Sequence, residues 1–282
     1  MKNLFRSILA TCFLLYVHSS FADFDSGIAA YNAGDYAMAL KEFRPLAAKG
    51  FPGAQYNLAV MYQNGFGVTK AYGLSAQWYR KAAEQGLAAA QYNLGLMYNN
   101  GLGVTKSNES AIQWYRKAAE QGLATAQYNL GFMYKNGQGV DQNNELAIQW
   151  FLKAANQGLS FAQNGLGLMY STDAGAVKKL GFAREWFEKS ALQGDPYGQR
   201  NLGLLYRDGT GVPVNYVMAY AWLNLSSIGG HPDAGKERDS LENILSPKQI
   251  QQAKEISANW KKGALIKEVP YQNITSNKNQ KK

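Results

Sequence analysis

Residue types able to carry out covalent or metal chemistry are scarce in this 282-residue chain, and their spacing does not suit catalysis. The single cysteine, Cys12, lies inside the first apolar run. Removing that run leaves no thiol for a disulfide, a nucleophile or a zinc site. Beyond residue 22 the one histidine is His231, so a site of several imidazoles cannot be assembled. His231-Pro232-Asp233 reads as a loop whose aspartate caps the following helix. No S-x-x-K pair is present, and Ser246-Pro247-Lys248 has the wrong spacing for a serine nucleophile and its lysine base. Gly-x-Gly pairs recur at 65/67, 101/103, 137/139 and 209/211. They follow helical patterns rather than strands, so they are turns and not a phosphate cradle. The expectation is a chain with no catalysis of its own, no metal and no cofactor.

The remaining chemistry is recognition. Three columns recur on one phase of a helical pattern. The first reads Tyr56, Tyr92, Tyr128, Asn164, Arg200; the second Val60, Leu96, Phe132, Leu168, Leu204; the third Gln63, Asn99, Lys135, Ser171, Arg207. At 100° per residue these positions point away from the phase that holds Ala54, Leu58, Met61 and Tyr62. Tyrosines beside an aliphatic floor with mixed polar ends form the kind of surface that takes a peptide. The predicted partner-binding residues are therefore Tyr56, Gln63, Tyr92, Asn99, Tyr128, Phe132, Lys135, Asn164, Arg200 and Arg207.

Those columns exist because the chain repeats. Ala54-Gln55-Tyr56-Asn57-Leu58 returns as Ala90-Gln91-Tyr92-Asn93-Leu94 and as Ala126-Gln127-Tyr128-Asn129-Leu130, a step of 36 residues. The glutamine recurs at 55, 91, 127, 163 and 199, and a tryptophan at 78, 114, 150, 186 and 222. Each period reads as two helices. Ala90, Leu94, Met97 and Tyr98 share one face of the first, and Ala111, Tyr115, Ala118 and Ala119 one face of the second. Gly101 and Gly103 supply the backbone freedom to turn between them, and Gly122 closes the pair. The tryptophan column is assigned to packing between helices. An Ala/Gly column at 59, 95, 131, 167 and 203 sits inside the first helix, where glycine costs about 1 kcal/mol relative to alanine. Close approach of the partner helix accounts for its recurrence.

Two short helices cannot bury enough apolar area to fold alone, so each pair must stack on its neighbours. The expected fold is all-α: an α-α superhelical, right-handed solenoid of helix pairs. Residues 1–22 read as a signal peptide, with Lys2 and Arg6 before the apolar stretch Ile8–Val17 and small residues before a cleavage point after Ala22. That stretch is too short to span a bilayer, and a periplasmic or secreted mature chain with no transmembrane segment follows. Residues 23–50 form a short capping repeat, followed by repeats at 51–86, 87–122, 123–158, 159–194 and 195–230. Capping helices occupy 231–262, from about Asp233 to Leu245 and from Ser246 to about Lys261. Ser246 caps the second of these, with Pro247 at its first position and Gln249 three residues on. Residues 263–282 are expected to be a basic, disordered tail.

The net charge of +9 is concentrated at that end, with lysines at 261, 262, 267, 278, 281 and 282 against the one acid Glu268. Such a tail permits weak contact with an anionic surface. Nucleic acid is excluded as a partner, since Tyr271 is the only aromatic interleaved with those cations.

The pattern A-Q-Y-N-L-G-x-M-Y-x-N-G-x-G-V, a short spacer, and A-x-x-W-Y-x-K-A-A-x-Q-G resembles the Sel1-like repeat, a relative of the tetratricopeptide repeat. Residues 51–230 match it as five units, the fourth and fifth imperfectly. The fourth departs at Ser171-Thr172-Asp173-Ala174-Gly175, which keeps one glycine where the others have two. The resemblance implies an adaptor of the bacterial envelope or secreted space that binds a protein or peptide along the concave face. It also leaves two alternatives: a β-lactam-binding or β-lactam-hydrolysing protein, whose cysteines this sequence lacks, and a glycan-associated exopolysaccharide or envelope factor.

Overall fold

A computed structural model describes residues 23–172 and 179–266. The leader, most of the glycine-poor turn of the fourth repeat and the tail from 267 onward lie outside the described residues. Among the described residues every regular element is helical. After α1 (23–32) come α2 (Tyr36–Ala48), α3 (Pro52–Asn64), α4 (Tyr72–Glu84), α5 (Ala88–Asn100), α6 (Asn108–Glu120) and α7 (Ala124–Asn136). Then follow α8 (Asn144–Asn156), α9 (Ser160–Ser171), α10 (Leu180–Leu192), α11 (Pro196–Asp208), α12 (Tyr216–Ile228), α13 (Ala234–Ser240) and α14 (Pro247–Asn259). The chain forms two compact units, 1–142 and 143–282. Each is a stack of antiparallel helix pairs of the α-solenoid class.

The periodic residues fold as their spacing requires. In α5, Ala90, Leu94 and Met97 are buried, and in α6 so are Ala111, Tyr115, Ala118 and Ala119. Tyr98, expected on the same face, is only half-buried, and its hydroxyl receives the Arg80 guanidinium from α4. The connection after α5 shows why glycine is needed. Gly101 ends the helix in the left-handed conformation (φ 70°), its N–H donating to the Met97 carbonyl. At Gly103 (φ 68°) a Cβ would lie 2.2 Å from the Tyr72 carbonyl carbon, so no other residue fits.

Within the first helix of each pair, the Ala/Gly column is a steric device. A Cβ on Gly95 would come 2.7 Å from the Tyr115 ring, and one on Gly167 2.4 Å from the Phe187 ring. The aromatic of the second helix thus presses on the backbone of the first, as the recurrence of small residues implied.

Packing between repeats includes a polar element that the sequence presented only as a marker of period. Gln91, 4% exposed, donates through Nε2 to the Ala83 carbonyl at 3.1 Å, at the end of α4 in the preceding repeat. Its Oε1 accepts from Gln121 Nε2 at 2.8 Å, just past the end of α6. Gln55 does the same with the Ala47 carbonyl and Gln85, and in the second unit Gln163 with the Ala155 carbonyl and Gln193. Each buried amide adds a second donor to a carbonyl at a helix end that already accepts a backbone N–H, from Gly50, Gly86 and Gly158 for Ala47, Ala83 and Ala155 in turn.

Three sequence expectations change in detail. The tryptophan column does more than pack between helices. Trp78, Trp114, Trp150 and Trp186 are half-buried, with Lys81, Lys117, Lys153 and Lys189 ammonium groups 4.1–4.3 Å from the ring centroids. One ring face packs while a lysine one helical turn on covers the other; Trp222 alone of the column is buried. The first C-terminal cap is shorter than expected, α13 followed by a 3-10 turn over Leu241–Asn243. Asp233 precedes it without a side-chain cap bond. Lastly, residues 263–266 are ordered: Gly263 N–H donates to the Leu192 carbonyl at 2.7 Å and Ile266 packs on the core. The Ser246–Gln249 capping box forms as expected.

Candidate functional site

The residues that the sequence singles out for partner binding lie on α3, α5 and α7 in the first unit and on α9 and α11 in the second. In the first unit the tyrosines form a row of half-buried rings. Tyr56 leans on Tyr79 with centroids 5.6 Å apart, and Tyr92 on Tyr115 at 5.8 Å. Asn93 Nδ2 reaches back to the Tyr56 hydroxyl at 3.4 Å. Tyr79 and Tyr115 are the buried supports of the row, 1% and 2% exposed. Burial pushes both phenols far above their ordinary value, and the neighbouring Tyr56 and Tyr92 add to the effect. They are neutral at any physiological pH. The Tyr79 hydroxyl donates to Gln63 Oε1 at 2.9 Å, which ties one of the predicted polar residues to the row.

A further aromatic group precedes the row, where the Tyr31 ring meets Tyr36 at 5.6 Å and Phe66 at 6.0 Å, both edge-on. Tyr31, on α1, is half-buried, and its phenol is raised by burial and by the proximity of Tyr36 and Tyr56. It escaped the sequence reading because the first cap lacks the repeat motif. Its only signal was the pair Tyr31 and Tyr36 flanking a glycine turn.

The columns converge on a groove between α5, α6 and α7. Its volume is about 320 Å³, and its lining includes Leu96, Asn99, Tyr115, Tyr128, Asn129 and Phe132. Three predicted residues, Asn99, Tyr128 and Phe132, thus meet in one place. Phe132 is 42% exposed, a large apolar side chain left to solvent. The groove lining carries amides and aromatic rings but no Asp, Glu, Lys or Arg. Lys135, one turn beyond Phe132 on α7, is half-buried.

In the second unit the predicted residues are drawn into contacts within the chain. Asn164 Oδ1 accepts from Asn201 Nδ2 at 2.8 Å. Arg200 forks onto Glu237 of α13, with Nε–Oε2 2.7 Å and Nη2–Oε1 2.5 Å. Its guanidinium therefore ties the C-terminal cap to α11. Arg207 pairs with its neighbour Asp208 at 2.7 Å, and that hydrogen bond raises the guanidinium pKa further.

Among the described residues no group of three or more His, Cys, Asp or Glu could hold a metal ion. Among the same residues no helix is long and apolar enough to cross a membrane.

Comparison with known proteins names this architecture. The Sel1 repeat model matches residues 52–87, 88–123, 124–159, 160–195 and 196–231. The chain belongs to the Sel1 repeat family. Among solved structures it resembles a Sel1 repeat protein from Oxalobacter formigenes, with a TM-score of 0.75 and 33% identity over 83% of this chain and 98% of that one. It also resembles a protective antigen of uropathogenic Escherichia coli strains that displays an SLR fold, with a TM-score of 0.76 and 34% identity over 84% of this chain. The chain spans about half of that antigen, 52% of its length. No curated protein matches the chain. Sel1 repeat proteins are in general protein-interaction scaffolds, and the fold of this one is that of the family.

Proposed function

We propose that this Sel1 repeat protein is a non-catalytic scaffold that binds a protein or peptide through the face carrying Tyr31, Tyr56, Tyr92 and Tyr128, with the groove beside Phe132 as its principal contact. The groove carries this reading. It gathers residues from two adjacent repeats, exposes an aromatic anchor, and surrounds it with amides able both to donate to and to accept from a peptide backbone. Buried neutral phenols beneath it hold the rings in place without adding charge. The positively charged leader with its short apolar stretch supports export to the periplasm or beyond, and the lysines after 261 support weak contact with an anionic surface.

A photo-crosslinking amino acid at Asn99, in the full chain expressed in its native host, tests the site. The expected result is covalent capture of one protein partner from position 99 and none from Gln113, which is exposed on α6. Equal adducts from both positions, or none from Asn99, would overturn the assignment.

A further inference from the structure

A second surface lies in the second unit, at the turns that join successive repeats, where two departures from the repeat's own pattern meet. The residue after the first position of the leading helix is Gly53, Ala89 and Thr125 in the first three repeats, but Phe161 and Tyr197 in the last two. These two aromatics are 53% and 49% exposed. The residue just before the same helix is Phe51, Leu87, Leu123 and Leu159 in the first four repeats, but Asp195 in the fifth. Phe161, Tyr197 and Asp195 line one slot of about 410 Å³, together with Ser160, Gln193 and Pro196. Asp195 is the one charged residue described along its lining.

Capping the helix occupies one oxygen of that carboxylate. Asp195 Oδ2 accepts from the Gly198 N–H at 2.8 Å and lies 2.8 Å from Ser190 Oγ. Asp195 Oδ1, Gln193 Oε1 and Ser160 Oγ have no partner among the described residues, and none of these residues forms an ion pair with Asp195. Asp195 is 5% exposed, so water screens its charge poorly and a counter-ion would relieve the cost of keeping it there. The chain does not supply one. Tyr197 meets the His231 ring edge-on at 4.7 Å, and the charges that reach that imidazole are Arg200 against Asp233, Glu237 and Asp195. Arg200 is already held by Glu237. A Cβ on Gly194 would lie 3.9 Å from Lys262 Cε, yet the Lys262 ammonium bonds to no described residue.

Three acceptors, one of them charged, beside two exposed rings suit a planar cation. Aromatic faces attract cations. A guanidinium carries five N–H donors in a flat fork, stacks on rings and sheds its water more readily than an ammonium does. We propose that the slot between Phe161 and Tyr197 is a docking site for an arginine side chain of a partner protein, separate from the groove beside Phe132. The aromatic pair receives the guanidinium plane, and Asp195 Oδ1 with Gln193 Oε1 accepts its N–H groups.

Solution NMR of the full chain tests this through the amide signals of Gly194 and Gly198. The probe is Nα-acetyl-arginine amide, and the comparison is its citrulline counterpart, of similar shape but uncharged. Saturable shifts at millimolar concentration are expected for the arginine probe, with binding about tenfold tighter than that of the citrulline probe. Asp195→Asn keeps an oxygen to cap the Gly198 N–H while removing the charge, and should weaken the arginine probe about tenfold with helicity retained. Phe161→Ala should weaken it as well, at an exposed position where the fold does not depend on the ring. Lys262→Ala removes a like charge beside the slot and should strengthen it. Equal affinity for the two probes, no shift of Gly198 up to tens of millimolar, or indifference to Asp195→Asn would each overturn the proposal. Tighter binding of free arginine than of the blocked form would mark an amino-acid site and overturn the assignment to a partner protein. Failure here leaves the capture expected at Asn99 untouched, and the reverse also holds.

Discussion

Gly167→Ala in α9 should destabilise the second unit, although the same substitution favours an isolated helix. Alanine is about 1 kcal/mol better than glycine in a helix interior. Against this, the new Cβ would lie 2.4 Å from both Cδ1 and Cε1 of Phe187 and 2.9 Å from its Cγ. The ring is 2% exposed and cannot swing into solvent. Forcing a methyl into a packed site costs about 1–3 kcal/mol. The first repeat bounds that cost, because Ala59 occupies the equivalent position beside Tyr79 and both are buried. A shifted ring is therefore an attainable arrangement, and a net loss of about 1 kcal/mol is expected after the helix gain. Gly181→Ala is the internal control: a Cβ there meets nothing within 4 Å, and α10 should be stabilised by about 0.4–1 kcal/mol. Urea unfolding followed by circular dichroism gives both midpoints, and Gly167→Ala combined with Phe187→Leu should recover part of the loss. If Gly167→Ala raised the midpoint as Gly181→Ala does, close approach would not be the reason for the small-residue column.

Two further outcomes follow from the polar contacts. Gln91→Ala removes a buried amide that joins the ends of α4 and α6, and should cost about 1–3 kcal/mol, visible as faster amide exchange around Ala83 and Gln121 rather than uniformly along the chain. His231 accepts the Asp233 N–H only when its Nδ1 is unprotonated, and its pKa is lowered by burial and then by Arg200, against the opposing pull of Asp233, Glu237 and Asp195. A depressed folded value means that the stabilisation is complete above the unfolded value near 6.5 and is lost as pH falls through the lower folded value. The melting temperature of the wild type should thus drop more than that of His231→Gln between pH 7.5 and 5, and parallel curves would refute the assignment.

Much of the architecture was legible in the sequence because its causes are local and recur every 36 residues. Gly101 and Gly103 announce a turn through backbone conformation alone, and Leu94 with Tyr115 announce buried faces through helical periodicity. What periodicity cannot show is the partner of a polar group. Gln91 was visible as a recurring letter, but its two bonds lie 8 and 30 residues away in the chain. Arg200 stood in a column with three tyrosines, yet Glu237 lies 37 residues on in the non-repeating cap and claims it. The tryptophans looked like interior residues because size and recurrence suggest burial. Lysine at i+3 was the available sign that one face remains near water. Tyr31 was missed for the opposite reason, since it lies on a helix without the motif. Of the candidate site, Asn99, Tyr128 and Phe132 were legible as one surface because they occupy the same helical phase in adjacent repeats.

The glutamine bonds tie the end of one helix pair to the start of the next, using only groups that every copy of the motif carries. A duplicated stretch of 36 residues inserted at such a joint would bring with it both the amide that the preceding copy needs and the carbonyl that the following copy seeks. Length in this architecture is thereby free to change by whole copies without redesign of the seams, and new binding positions can be gained by lengthening the array rather than by rebuilding it.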